Sequence, residues 1–202
     1  MEKDRGYKII AIIALLMSVV GLSIAYAGYT ATLDVNGASA TAASAWKVIW
    51  KDLDSGTFSG YATNEGKTLA IDSTNQRISG VLGTIKAPGD TIRYTWKAAN
   101  DGEIDASITG VVVGTLSCAP KTGVTPAATQ AQADALCAKL SLAFTYDGQA
   151  LTTSTTGDLL KNTNKPVTMT LTYAAGEAVK IDGDVTVSIG TTSISYEQKA
   201  TS

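Results

Sequence analysis

The stretch that decides the fold is residues 91 to 113, TIRYTWKAANDGEIDASITGVVV. Ile92, Tyr94, Trp96 and Ala98 alternate with Thr91, Arg93, Thr95 and Lys97. A period of two puts the apolar set on one face of an extended chain. Asn100-Asp101-Gly102 then breaks the pattern with residues that favour a reversal, and Ile104, Ala106 and Ile108 resume it. The stretch predicts a β-hairpin with both arms turned toward one core, entered through a turn at Pro88-Gly89.

The same alternation recurs on either side. Trp46, Val48 and Trp50 oppose Lys47, Ile49 and Lys51. Leu140, Leu142, Phe144 and Tyr146 form another set, and Val167, Met169, Leu171 and Tyr173 a third, opposite threonines. Near the end of the chain Val185, Val187 and Ile189 lie on one parity and Ile194 and Tyr196 on the other, which predicts a bulge or a corner near Gly190. Phe58, Tyr61, Leu69 and Ile71, scattered through a turn-rich region, predict brief edge strands. Many short strands with one apolar face imply two sheets packed face to face. The expected fold is therefore all-β, a two-sheet β-sandwich of jelly-roll or Greek-key type, with Trp46, Trp50 and Trp96 in its core because all three fall on the apolar parity.

One segment departs from this pattern. Thr125 suits a helix N-cap, Pro126 the first helical position, and residues 127 to 140 are rich in alanine with apolar residues at helical spacing. This predicts one short helix in a crossover, bracketed by Cys118 and Cys137, the only cysteines of the chain. In an exported protein these two form a disulfide.

Export is predicted from the N-terminus. Glu2, Lys3, Asp4, Arg5 and Lys8 make a charged head, and Ile9 to Ala27 is an uncharged apolar run. About 20 such residues span a bilayer, so length leaves signal peptide and membrane anchor both open. Ala25-Tyr26-Ala27 has small residues at both peptidase recognition positions and favours a cut after Ala27, which leaves Gly28 first. A pilin-type cut after Gly6 is disfavoured, since no acidic residue stands just inside the apolar run. Residues 1 to 27 are thus read as signal peptide or anchor and residues 28 to 202 as one β-sandwich domain, secreted, extracellular or held at the cell surface. Directly after the cut, Tyr29, Ala31, Leu33 and Val35 alternate with Thr30, Thr32 and Asp34. They form a candidate assembly strand whose upstream neighbour export removes.

Several function classes are excluded. The chain has 16 basic and 18 acidic residues, a net charge of -2 and no basic cluster in the mature part, which excludes nucleic acid as a partner. It has no histidine, which removes Ser-His and Cys-His nucleophile arrangements and the usual zinc sites. No glycine-rich loop follows a strand and opens a helix, so nucleotide binding lacks a signature. Asp52 with Asp54, Asp101 with Glu103, and Asp182 with Asp184 have the oxygen chemistry of a calcium site. Turn chemistry is the preferred account of them, because aspartate and glycine favour tight reversals. No catalytic, cofactor-binding or metal site is expected, and the protein is read as non-enzymatic.

The charged head, the apolar run ending in small residues, the alternating strand directly after it, PGDTIRYTWKAANDGEIDASI (88–108) and the final ISYEQKA (194–200) together resemble the TasA and camelysin group of exported bacterial proteins. The resemblance implies a jelly-roll-like domain serving as a matrix or fibre subunit, in which the freed N-terminal segment of one copy completes the sheet of the next. The metallopeptidase activity described for some members is not carried over, because histidine is absent. The cysteine-bracketed helix is a further departure. The function expected is that of an exported structural protein that self-associates into fibres by N-terminal strand donation. The alternative is a surface domain, held in the membrane only through residues 1 to 27, that binds a carbohydrate or protein.

Overall fold

The structure is a computed structural model that describes residues 30–35, 46–66 and 68–199. The expected signal peptide or anchor, its cut between Ala27 and Gly28 with Ala25 as second recognition residue, and Tyr29 all lie outside the described residues.

Alternation places the main strands as expected and sorts them into β-sandwich-like sheets. Tyr61, expected in a brief edge strand, instead lies exposed in a turn where Gly60 at φ +70° reverses the chain. The larger sheet runs β10 (Gln149–Ala150), β9 (Leu140–Tyr146), β12 (Thr163–Tyr173), β6 (Thr91–Asn100) and β2 (Val48–Lys51), with β3 (Thr57–Ser59) also on β6. The second runs β1 (Thr30–Val35), β14 (Thr192–Gln198), β7 (Ala106–Val112) and β11 (Asp158–Leu159). Two ribbons accompany them, β8 (Leu116–Pro120) with β13 (Val185–Ile189), and β4 (Leu69–Ile71) with β5 (Ile78–Gly80).

One core joins the two larger sheets. Trp96, Trp50 and Tyr146 from the first meet Ile108, Ile194 and Tyr196 from the second. The Tyr196 hydroxyl donates to the Tyr146 hydroxyl at 3.2 Å, one polar contact inside an apolar layer. Burial of both rings pushes their phenols up, Tyr146 to about 12. Trp50 and Trp96 meet edge to face at 6.1 Å, and all three tryptophans are buried as expected.

The hairpin expectation is wrong. β6 lies in the larger sheet between β12 and β2, and β7 lies in the other sheet beside β14. The chain crosses the layers at Asn100, which is buried: its amide nitrogen donates to the Ile104 carbonyl at 2.8 Å and the Leu159 carbonyl at 3.0 Å, and its oxygen accepts from Gly102 N. Both edges of β6 are already taken, so the returning arm has no edge to pair with. A period of two reports the face a residue occupies and leaves its neighbouring strand open.

Two smaller corrections have local causes. Ile49, expected on the exposed face, is buried beside its register partner Ala99, also buried, so this corner of the sheet is covered on both sides. The single described helix, α1, spans Gln130–Cys137 and is capped by Thr129 instead of Thr125. The Thr129 hydroxyl accepts from Gln132 N while the Gln132 side chain accepts from Thr129 N, so each residue satisfies a free donor of the other. Pro126 therefore precedes the helix. The Cys118–Cys137 disulfide forms, with Cα atoms 5.8 Å apart, and ties β8 to the last residue of α1.

The corner expected near Gly190 is present. Ser193 faces Val112, and Ile189 faces Leu116, the same step further along both strands. β14–β7 and β13–β8 are thus one long ribbon with unbroken register between those two pairs. It kinks where Gly114 crosses Gly190, so closely that a Cβ on Gly114 would lie 2.0 Å from the Gly190 carbonyl oxygen. Across the kink the buried parity changes from Thr192, Ile194 and Tyr196 to the half-buried Val185, Val187 and Ile189.

Candidate functional site

β1 sits at the margin of its sheet and, among the described residues, pairs only with β14. The ladder is antiparallel and runs from Thr30 opposite Glu197 to Val35 opposite Thr192. The register positions of Ala31, Leu33 and Val35 are those opposite Tyr196, Ile194 and Thr192, all buried. The expected assembly strand therefore completes a sheet of its own domain. Residues 36 to 45, NGASATAASA, lie outside the described residues and connect it to Trp46.

Beyond the kink the ribbon borders a cleft of about 880 Å³, within the range of ligand-sized sites. Its floor is apolar and comes from the inner face of the larger sheet, with Ile92, Leu140, Met169 and Leu171. One wall is the segment from Ile78 to Lys86 and the other is β13. All five residues of β13 line the cleft, although successive side chains point to opposite faces. The wall is therefore the backbone edge of the strand, which among the described residues has no partner on that side. Val81 and Ile181 stand exposed on the lining, and ion pairs of Lys86 with Glu65 and Lys121 with Asp184 mark its rim. Hydrogen bonds from Thr63, then Lys86 and Thr84, hold the Glu65 carboxyl below its usual range.

A buried carboxylate that sequence reasoning passed over fixes the first wall. Asp90 is fully buried; one oxygen accepts from Lys86 N at 2.7 Å and Ala87 N at 2.9 Å, and the other from Tyr61 N at 2.6 Å. Burial opposes its charge, yet these backbone donors outweigh it and lower its pKa. The only signal in the sequence is the expected Pro88-Gly89 turn, confirmed by Gly89 at φ +92°, which folds Asp90 back onto the amides before it.

The other acidic residues singled out do not converge. Asp52 pairs with Lys97, Asp101 with Lys51 and Lys47, and Asp184 with Lys121; Asp182 accepts from Gln132, and Asp54 from Gly56 N. Among the described residues, no three histidine, cysteine or acidic side chains gather as a metal site would need. No protein-family model, no curated protein and no solved structure matches the chain. The functional reading thus rests on the margin strand and the cleft.

Proposed function

We propose that this protein is an exported, non-enzymatic structural subunit that self-associates into fibres by donating β1 to the sheet of a neighbouring copy. The observation that carries the reading is the place of β1: it is a marginal strand near the chain's N-terminus, joined to the domain by ten small or polar residues. Those residues reach roughly 35 Å when extended. Moving β1 onto the β14 of another copy remakes the same ladder, each backbone hydrogen bond contributing about 0.5 to 1.5 kcal/mol net. Head-to-tail donation builds filaments when the rotation between successive copies does not close a ring. A jelly-roll or Greek-key sandwich suits the role, since a missing marginal strand leaves an open edge. The disulfide is in keeping with an oxidising, extracellular location, and the sequence layout resembles that of the TasA and camelysin group.

Removing residues 28 to 36 tests the proposal. Filaments disappear while the remaining domain keeps its β spectrum; filaments that survive the deletion overturn it. The second reading, a membrane-held surface domain that binds a protein or carbohydrate, draws on the apolar run from Ile9 to Ala27. N-terminal sequencing of exported material separates the two, because a cleaved subunit begins at Gly28.

A further inference from the structure

We infer that the free edge of β13 is the second half of the acceptor, and that residues 38 to 42 of a donating copy lie along it in the cleft. This rests on the strand-donation reading and extends it past the end of β1.

The register points there. Val35 is opposite Thr192, so a strand continuing in the same direction meets the kink and then β13. Counting on, Gly37 falls opposite Gly190, Ala38 opposite Ile189, Ala40 opposite Val187 and Ala42 opposite Val185. A glycine thus arrives where the ribbon already has Gly114 crossing Gly190. The parity change agrees as well. β14 and β13 switch their inward set at the kink, and the donor sequence switches at the same level, from Ala31, Leu33 and Val35 to Ala38, Ala40 and Ala42. Ser39 and Thr41 then fall opposite Ser188 and Thr186, which are exposed. An alternating alanine and hydroxyl segment matches an edge with apolar residues inward and hydroxyls outward.

Chain length assigns this segment to a second copy. Trp46 lies just before β2, whose Val48 faces Asn100, whereas Val185 shares the cleft with Ile92. β6 takes roughly 26 Å to run from Ile92 to Asn100 at about 3.3 Å per residue. With Ala42 at Val185, the chain on to Trp46 spans at most roughly 14 Å. A domain that keeps its own β1 cannot also fill the β13 edge, whereas a donor reaching in from a neighbour can. Exchange then adds a ladder that the described residues of the closed domain do not form, which gives assembly a driving force.

Mixed single-cysteine variants test this. Protein carrying Ser39→Cys is co-assembled with protein carrying Ser188→Cys, oxidised, and the linked peptides are mapped by mass spectrometry. A parallel mixture of Thr32→Cys with Ser195→Cys reports donation onto β14 alone, since these positions face each other in the β1 ladder. The expected result is that both mixtures form the mixed disulfide to a similar extent. Linkage at 32–195 without linkage at 39–188 overturns the extension and leaves donation standing. Linkage at neither overturns both. In the double variant carrying Ser39→Cys and Ser188→Cys, a link within one copy also overturns it, because the segment would then fold back onto its own cleft.

Discussion

The two halves of the long ribbon keep one register across the kink and meet the same larger sheet, yet they end differently. On one side of the Gly114–Gly190 crossing, β14 and β7 press on Trp96 and Tyr146, and β1 covers the edge of β14. On the other, β13 and β8 stand off from Ile92, Met169 and Leu171 across a cleft, and the β13 edge has no described partner. The first half is held by burial. The second is tied covalently from Cys118 to α1, and the wall it faces is fixed separately by the Asp90 clamp. A half that relies on ties instead of burial stays open without unfolding, which is what an acceptor requires.

The contrast breaks first at the tryptophans. Trp96→Ala is expected to destabilise the domain by about 4 kcal/mol in denaturant unfolding, as buried aromatic truncations do. Val187→Ala, on the half-buried cleft wall, is expected to lose less than about 1 kcal/mol. Equal losses would mean that the two halves are packed alike. The disulfide sharpens the contrast next. Replacing Cys118 and Cys137 with serine removes a loop constraint of about 3 kcal/mol in the chain-entropy model. Amide exchange should then accelerate first in β8, β13 and α1 and leave β6 and β14 protected; uniform acceleration would contradict a separately tied half.

A smaller effect than those at Trp96 and the disulfide is expected at Asp90. Asp90→Asn is expected to lose about 1 to 2 kcal/mol at neutral pH, because the backbone N–H groups around it lose a charged acceptor. Its folded pKa is lowered, so the stability it contributes is present above the unfolded value of about 3.9 and is lost as pH falls through the folded one. The gap between wild type and variant should therefore narrow below about pH 4. A constant gap down to pH 2 would show that the charge is not what holds the wall.

Much of this was legible in the sequence. Alternation located β6, β9 and β12 and put the three tryptophans in the core, because a half-buried strand must show its buried face every second residue. The parity switch around Gly190 located the kink, and the two cysteines located the tie. Strand partners were not legible. Asn100-Asp101-Gly102 reads as a hairpin reversal, and only the buried amide of Asn100, bonded to distant Leu159, makes it a crossing between layers. Nor was the helix start, since Thr125-Pro126 and Thr129 both suit a cap and the reciprocal bonds with Gln132 select Thr129. The cleft was hidden for the same reason as the crossing, because it depends on which edge each strand leaves unpaired.

The central claim is that β14 of one copy holds β1 of another. Oxidation of assembled protein carrying both Thr32→Cys and Ser195→Cys tests it most directly, read on a denaturing gel without reductant. The account predicts a ladder of covalent multimers that collapses to monomer on reduction. A single monomer band whose mapped 32–195 link lies within one chain, in material that is visibly filamentous, would contradict it.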